Sequence, residues 1–336
     1  MTKRRTFLKQ LAVVGVGSKA LLSSGSIKAA VESADASRVK DWPQMSYKVL
    51  GRTGFNASRL VYGCGAALSR KRADRTLNQA FDHGVNVYDV GTSRYYGDAQ
   101  KNLADFASGH KDDVFLITKD FVDLDRDDDP SAEETKQAAD QWIARLDKCL
   151  TELKVEHVDA YYIMGANNPN LIDREEFYNA FLSAKEAGKV SFFGFSSHDR
   201  AEQLLLKASD TGWYDLAMIA ITPGGWYDWE SKDLLKNTPD LNGLQPVLKK
   251  ARDAGIGLVG MKAARILASR WFGGREQAKM FDNLYSEELM KMNLSTFQRS
   301  YGYVLAHGVD VINADIQSFD ILEENYVAAA SVSRLA

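Results

Sequence analysis

Eight short apolar runs recur along this chain, at 60–63, 85–90, 114–118, 158–164, 191–195, 216–221, 257–261 and 311–314. Runs of that length, bounded by polar residues, read as buried strands. Between them stand helix-patterned stretches such as "RADRTLNQAFDHG", "AEETKQAADQWIARLDKCLTELKV", "REEFYNAFLSAKEAGK" and "STFQRSYGYVLAHG". Several reach their end at a Gly, a helix C-terminal signal. Strand and helix in alternation imply a parallel sheet, because parallel neighbours need a long crossover. Eight such units are what closes a (β/α)8 TIM barrel of the α/β class. A doubly wound sheet is the competing arrangement, but "YGCGAAL" holds only the first half of a G-x-G-x-x-G fingerprint.

A barrel of this kind gathers its chemistry at the C-terminal ends of its strands. That rule selects Asp89 with the following "VGTSRYYG", Lys119, Met164-Gly165, Ser196-Ser197-His198, Thr222 and Lys262. Two long aromatic loops, "PGGWYDWE" and "RILASRWFGGREQAKMFDNLYSEELMKMN", lie on the same face. Their Trp226, Tyr227, Trp229, Trp271 and Phe272 would suit a sugar ring or another flat ligand face, or would cover the barrel mouth. No His/Cys/Asp cluster has zinc spacing, so no metal site is expected. The two cysteines, Cys64 and Cys149, are too few for a disulfide framework. Cys149 falls in an amphipathic helical pattern, where a small buried hydrophobe is the expected role.

The first thirty residues differ from the rest. "MTKRRTFLKQLAVVGVGSKALLSSGSIKAA" has a basic start, an apolar middle and small residues at Ala29 and Ala30, the plan of an export signal. Its apolar run is too short and Gly-rich for a comfortable membrane span. Arg4-Arg5 followed by "TFLK" resembles a bacterial twin-arginine signal, which implies export machinery as a partner and a periplasmic location. Residues 31–45 read as a polar linker, and 46–336 as the barrel. Cleavage near Ala30 removes six basic residues and no acidic ones, taking the formal charge from −3 to −9. So acidic a mature chain argues against nucleic acid and against anionic membrane surfaces as partners.

Read in order, "YKVLGRTGFNASRLVYGCG", "AFDHGVNVYDV", "YYG", "FLITKD", "LTELKVEHVDAYYI", "AGKVSFFGFSSH" and "ILEENY" together resemble the aldo-keto reductases. These are barrel enzymes that move hydride between NADP or NAD and a carbonyl or alcohol. The matches span residues 47–328. The resemblance implies that Asp89 and Lys119 are the family's Asp and Lys. It makes Tyr96 the proton donor, with Tyr95 in reserve, and has the Lys lower the pKa of the Tyr. Hydride transfer places charge on oxygen, so a tuned acid must stand beside it.

The sequence also departs from the family pattern. The carbonyl-polarising His falls at Met164, and neither His157 nor His198 is positioned in the sequence to replace it. Tyr162 should face inward one layer below Met164. Ser196 and Ser197 stand at the nicotinamide-amide positions, and Glu324-Asn325 near the adenine. The family Gln aligns with Met218, the stacking Tyr with Ile221, and the 2′-phosphate grip with Asp315-Ile316. An Asp there repels a phosphate. Lys262 or Arg265 could meet a phosphate instead, and Trp226 or Trp229 could supply a stacking ring. Met164, Tyr95, Trp226 and Trp229 are the expected substrate walls, for a small molecule such as a sugar or an aldehyde. The alternative is a barrel repurposed for ligand binding or for non-redox acid–base chemistry.

Overall fold

The computed structural model describes Val39 and residues 42–125, 127–268 and 277–332. The expected export segment 1–30, most of the 31–45 linker, Trp271 and Phe272 lie outside the described residues. The barrel unit starts at Pro43, inside the expected linker. Met45 is already buried, and the Ser46 hydroxyl donates to the Ala330 carbonyl at 3.0 Å.

Strands β1 (Tyr47–Val49) and β2 (Asn56–Ser58) form an antiparallel hairpin. Its turn requires Gly51, with φ of 52°, because a Cβ there would lie 2.2 Å from the Gly257 amide nitrogen. Arg52 then donates to the carbonyls of Tyr214 (2.8 Å) and Ala254 (2.9 Å), tying the hairpin to the start of the later strands.

The barrel strands are β3 (Leu60–Gly63), β4 (Val87–Asp89), β5 (Phe115–Phe121), β6 (Val158–Met164), β7 (Val190–Ser197), β8 (Leu216–Thr222), β11 (Gly257–Met261) and β12 (Val311–Asp315). Between β8 and β11 come β9 (Gly225–Asp228) and β10 (Asp233–Leu234). The eight pair in parallel in the order β8-β11-β12-β3-β4-β5-β6-β7, and the β7–β8 pairing closes the ring. Helices between successive strands complete the expected (β/α)8 architecture. The most extended is α5 (Ala132–Leu153), which opens on a Ser131/Glu134 capping box and buries Trp142, Leu146, Leu150 and Leu153 along one face.

Two differences from the sequence reading bear on the site. Strand β5 runs on to Phe121, past the expected end at 118, because buried Lys119 and Asp120 still pair with Tyr162 and Ile163 of β6. Polar residues look like a loop in sequence when their partners come from distant strands. The "PGGWYDWE" segment is no simple loop either. It folds back as β9, with Trp226 opposite Ile221 in antiparallel register, and β10 pairs onto β9. Gly225, with φ of 113°, makes the reversal possible.

Candidate active site

Alternation along the strands decides which side chains enter the barrel. In β4, Tyr88 turns outward and stacks on Tyr62 at 5.6 Å, which sends Asp89 inward. Lys119 of β5 meets it: Nζ lies 2.5 Å from Asp89 Oδ1 and 2.8 Å from the Val90 carbonyl. Asn313 of β12 donates from Nδ2 to Asp89 Oδ2 at 2.7 Å and contacts Met218 Sδ at 3.4 Å. Gly63 makes room for this, since a Cβ there would sit 2.5 Å from Asn313 Oδ1. Burial pushes the Asp89 carboxyl upward, while Lys119 and Asn313 oppose that rise. Sequence reasoning missed Asn313, although a polar residue inside the apolar run 311–314 was a usable signal.

Tyr96 ends the short helix α3 (Ser93–Tyr96), capped by Thr92 Oγ1 accepting from the Arg94 amide. (Helices are numbered in chain order after α1, Gly65–Leu68, and α2, Asp74–Asp82; α4 is Ala99–Gly109.) Its ring fits between Gly65 and Gly91. A Cβ on Gly65 would lie 2.7 Å from the ring, and one on Gly91 would lie 3.0 Å from the ring and 3.1 Å from Lys119 Cγ. Tyr96 is therefore beside the Lys119 stem, whereas Tyr95 is 59 % exposed and packs edge-on against Tyr96 and Phe121. The expected lowering of the tyrosine pKa is not what the geometry produces. Burial first, then Asp89, raises it. The Lys119 ammonium is turned onto Asp89 and Val90, so its charge is engaged there rather than on the phenol.

Met164 lies at the inner end of β6, 7 % exposed, on the same face as Tyr162 and Lys119's partner register. Tyr162 does face inward one layer deeper. Its ring lies over Gly194, where a Cβ would approach to 2.4 Å, and its buried hydroxyl has no hydrogen-bond partner among the described residues.

The expected cofactor positions divide. Ser196 faces inward and accepts from the Gly165 amide at 3.2 Å, leaving its own proton available. Ser197 alternates to the outer face with Phe193 and Phe195, and its hydroxyl is engaged with Asp199, so it does not line the mouth. Ile221 is likewise fully buried on the outer side of β8. Asp315 accepts from the Ala67 amide (2.8 Å) and Gln317 Nε2 (2.5 Å), and burial raises its pKa. Glu324 accepts from Ser295 Oγ, and Asn325 is buried in the last helix, so this pair serves helix packing. Trp226 is buried and donates from Nε1 to Glu202 at 3.1 Å, anchoring the β9 hairpin instead of forming a substrate wall.

Trp229 does reach the mouth. Lys232 Nζ lies 3.2 Å and Lys262 Nζ 4.8 Å from its ring centroid, and the His198 ring is 4.9 Å away. Burial lowers the His198 pKa to about 3, helped by Lys262, Lys119 and Lys232. His198 does not take the place of the family His, yet it stands among the mouth cations because it continues the inward face of Gly194 and Ser196. Lys262 is also lowered, chiefly by burial, with Asp315 opposing and Arg265, Lys232 and Lys119 adding to the fall.

A sequence profile described as "Aldo/keto reductase family" matches residues 51–277, about two thirds of the chain. The chain belongs to the aldo/keto reductase family. An uncharacterized oxidoreductase, YrpG of Bacillus subtilis, is 27 % identical over 281 residues, 77 % of this chain and 80 % of that protein. Aldo-keto reductase AKR11C1 from Bacillus halodurans, solved in its holo form, superposes with a TM-score of 0.59 at 19 % identity, covering 84 % of this chain and 90 % of its own. The thermostable aldo-keto reductase Tm1743, solved with the inhibitor epalrestat, gives 0.58 at 22 % identity over 84 % of this chain and 94 % of its own. At those identities the two structures speak for the fold. Among the described residues no group of His, Cys, Asp and Glu could hold a metal ion, and no helix is long and apolar enough to cross a membrane.

Proposed function

We propose that the chain is an exported oxidoreductase that moves hydride between a nicotinamide cofactor and a carbonyl or alcohol, through a site in which Met164 stands where the family keeps a His. Family membership and the oxidoreductase relative support the oxidoreductase role. The observation that carries the finer reading is the buried Asp89–Lys119 pair beneath a Tyr96 ring seated on two glycines.

The nicotinamide, when bound, supplies or accepts the hydride. The chain supplies the proton and the field. Tyr96 stays protonated at neutral pH, so its phenol is the donor to a substrate oxygen. Lys119, beside the Tyr96 ring at the strand end, favours charge developing on that oxygen. Asp89, occupied by Lys119 and Asn313, positions the lysine and does not act as a base. Lys262 and Arg265 at the end of β11, with no side-chain hydrogen bond or ion pair among the described residues, fit a phosphate-bearing cofactor, and Asp315 disfavours a 2′-phosphate, which supports NAD over NADP. The twin-arginine-like segment supports export to the periplasm in the folded state.

Met164 also favours a second reading, a barrel kept for ligand binding or non-redox acid–base work, because it removes the second polarising group. Oxidation of NADH or NADPH against a panel of aldehydes and sugars separates the two. The first reading expects turnover that Tyr96→Phe abolishes. Tight ligand binding with no turnover on any carbonyl supports the second.

A further inference from the structure

Two of the five non-glycine residues with left-handed backbone among the described residues are Lys232 (φ 61°) and Lys262 (φ 65°), and these two lysines meet at one indole, Trp229. Lysine has no intrinsic reason to adopt that conformation, and strain of this kind gathers at functional sites. Lys232 arrives on the β9–β10 hairpin and Lys262 at the end of β11, so they converge from separate elements. Arg265 stands one turn beyond Lys262, its amide bonded to the Lys262 carbonyl at 2.8 Å. His198 completes the ring from the end of β7.

None of Lys232, Lys262 and Arg265 has a side-chain hydrogen bond or ion pair among the described residues. The nearest carboxylates act on Lys262 and Lys232 through their charge but form no ion pair with them. Asp228 accepts from the amides of Glu230 (2.9 Å) and Ser231 (3.2 Å) in its own turn, and Asp315 holds Ala67 and Gln317. The lysines rest on the indole face instead. A cation–π contact holds an ammonium in place without neutralising it, so its N–H groups stay free for an anion. Carbon-rich Trp229 gives the floor, the cations the walls, and a neutral imidazole a further hydrogen-bond partner.

We propose that the β9–β10 hairpin completes an anion site at the barrel mouth, in which Lys232, Lys262 and Arg265 grip a phosphate-class group against Trp229, with His198 beside it. The site deepens the reading above and rests on it only where the anion is the diphosphate of a dinucleotide; a phosphate carried by the carbonyl substrate has the same chemistry. It accounts for how a chain with Asp315 at the family's phosphate position could still hold a phosphate-bearing ligand.

The test uses the purified chain, tryptophan emission and calorimetry, with inorganic pyrophosphate as the probe. Saturable binding that weakens with salt is expected, falling by about tenfold or more in Lys232→Met and recovering in Lys232→Arg. Lys232 carries no side-chain hydrogen bond among the described residues, and a matching melting temperature for Lys232→Met shows that its fold is intact. Competition between pyrophosphate and NADH assigns the site to the dinucleotide, and independent binding of both assigns it to a substrate phosphate. Pyrophosphate binding without NADH binding keeps the site and removes the dinucleotide reading. Absence of saturable pyrophosphate binding, or equal binding by the wild type and Lys232→Met, overturns the proposal.

Discussion

Replacing Lys119 by Met should reveal how the centre of the site is held. Lys119 is 3 % and Asp89 5 % exposed, so the substitution leaves a carboxylate out of water with only the 2.7 Å bond from Asn313. Removing one partner of a buried pair costs about 3–5 kcal/mol, because the remaining charge stays desolvated. Burial already raises the Asp89 pKa, so the carboxyl can escape by taking a proton, which places the expected loss near the lower limit, about 3 kcal/mol at pH 7. In the variant the folded-state pKa lies further above the unfolded value, so the folded protein binds the proton first and the deficit shrinks as pH falls through that pKa. Adding Asp89→Asn removes the stranded charge and should bring the double variant to within about 1 kcal/mol of the parent. Urea midpoints at constant slope measure all three proteins. A Lys119→Met loss below about 1 kcal/mol at pH 7, or a double variant as unstable as the single one, would mean that no buried charge is stranded there.

Gly63→Ala should cost about 2 kcal/mol or more, because its Cβ would meet Asn313 Oδ1 at 2.5 Å and the Ala314 carbonyl at 2.6 Å, and backbone cannot step aside. The same unfolding assay checks it, and a neutral result would contradict the packing described. Met164→His should raise carbonyl reduction by about tenfold or more if the pocket is a weakened reductase; steady-state rates on simple aldehydes read this, and no gain marks a repurposed pocket. His198, held neutral down to about 3 when folded, takes up a proton near 6.5 when unfolded, so stability is lost as pH falls between those values. His198→Phe removes that loss, so its melting temperature relative to the parent should be higher at pH 4.5 than at pH 7. Parallel pH profiles would contradict the burial of a neutral ring.

The barrel was legible because eight apolar runs at regular intervals have few other solutions, and its strand-end rule found Asp89 and Lys119 without any knowledge of their contact. Tyr96 over Tyr95 was harder to read, since both are aromatic and adjacent; the choice depends on Gly65 and Gly91, which follow two different strands, making a slot together. Ser197 and Trp226 were misplaced for a related reason. Alternation at the end of β7 and the reversal at Gly225 turn them away from the mouth, and neither is visible as composition. Of the cluster at Trp229, the strand-end rule found Lys262 and the seventh loop offered Arg265, but Lys232 was invisible for the same cause. Lys232 sits on a hairpin that looks like loop, and its meeting with Lys262 is a property of the closed barrel.

Fluorescence titration of the purified chain with NADH and NADPH reads out whether this family member works on a nicotinamide cofactor. Saturable binding of NADH is expected, tighter than that of NADPH because of Asp315. No binding of either at millimolar concentration would contradict it.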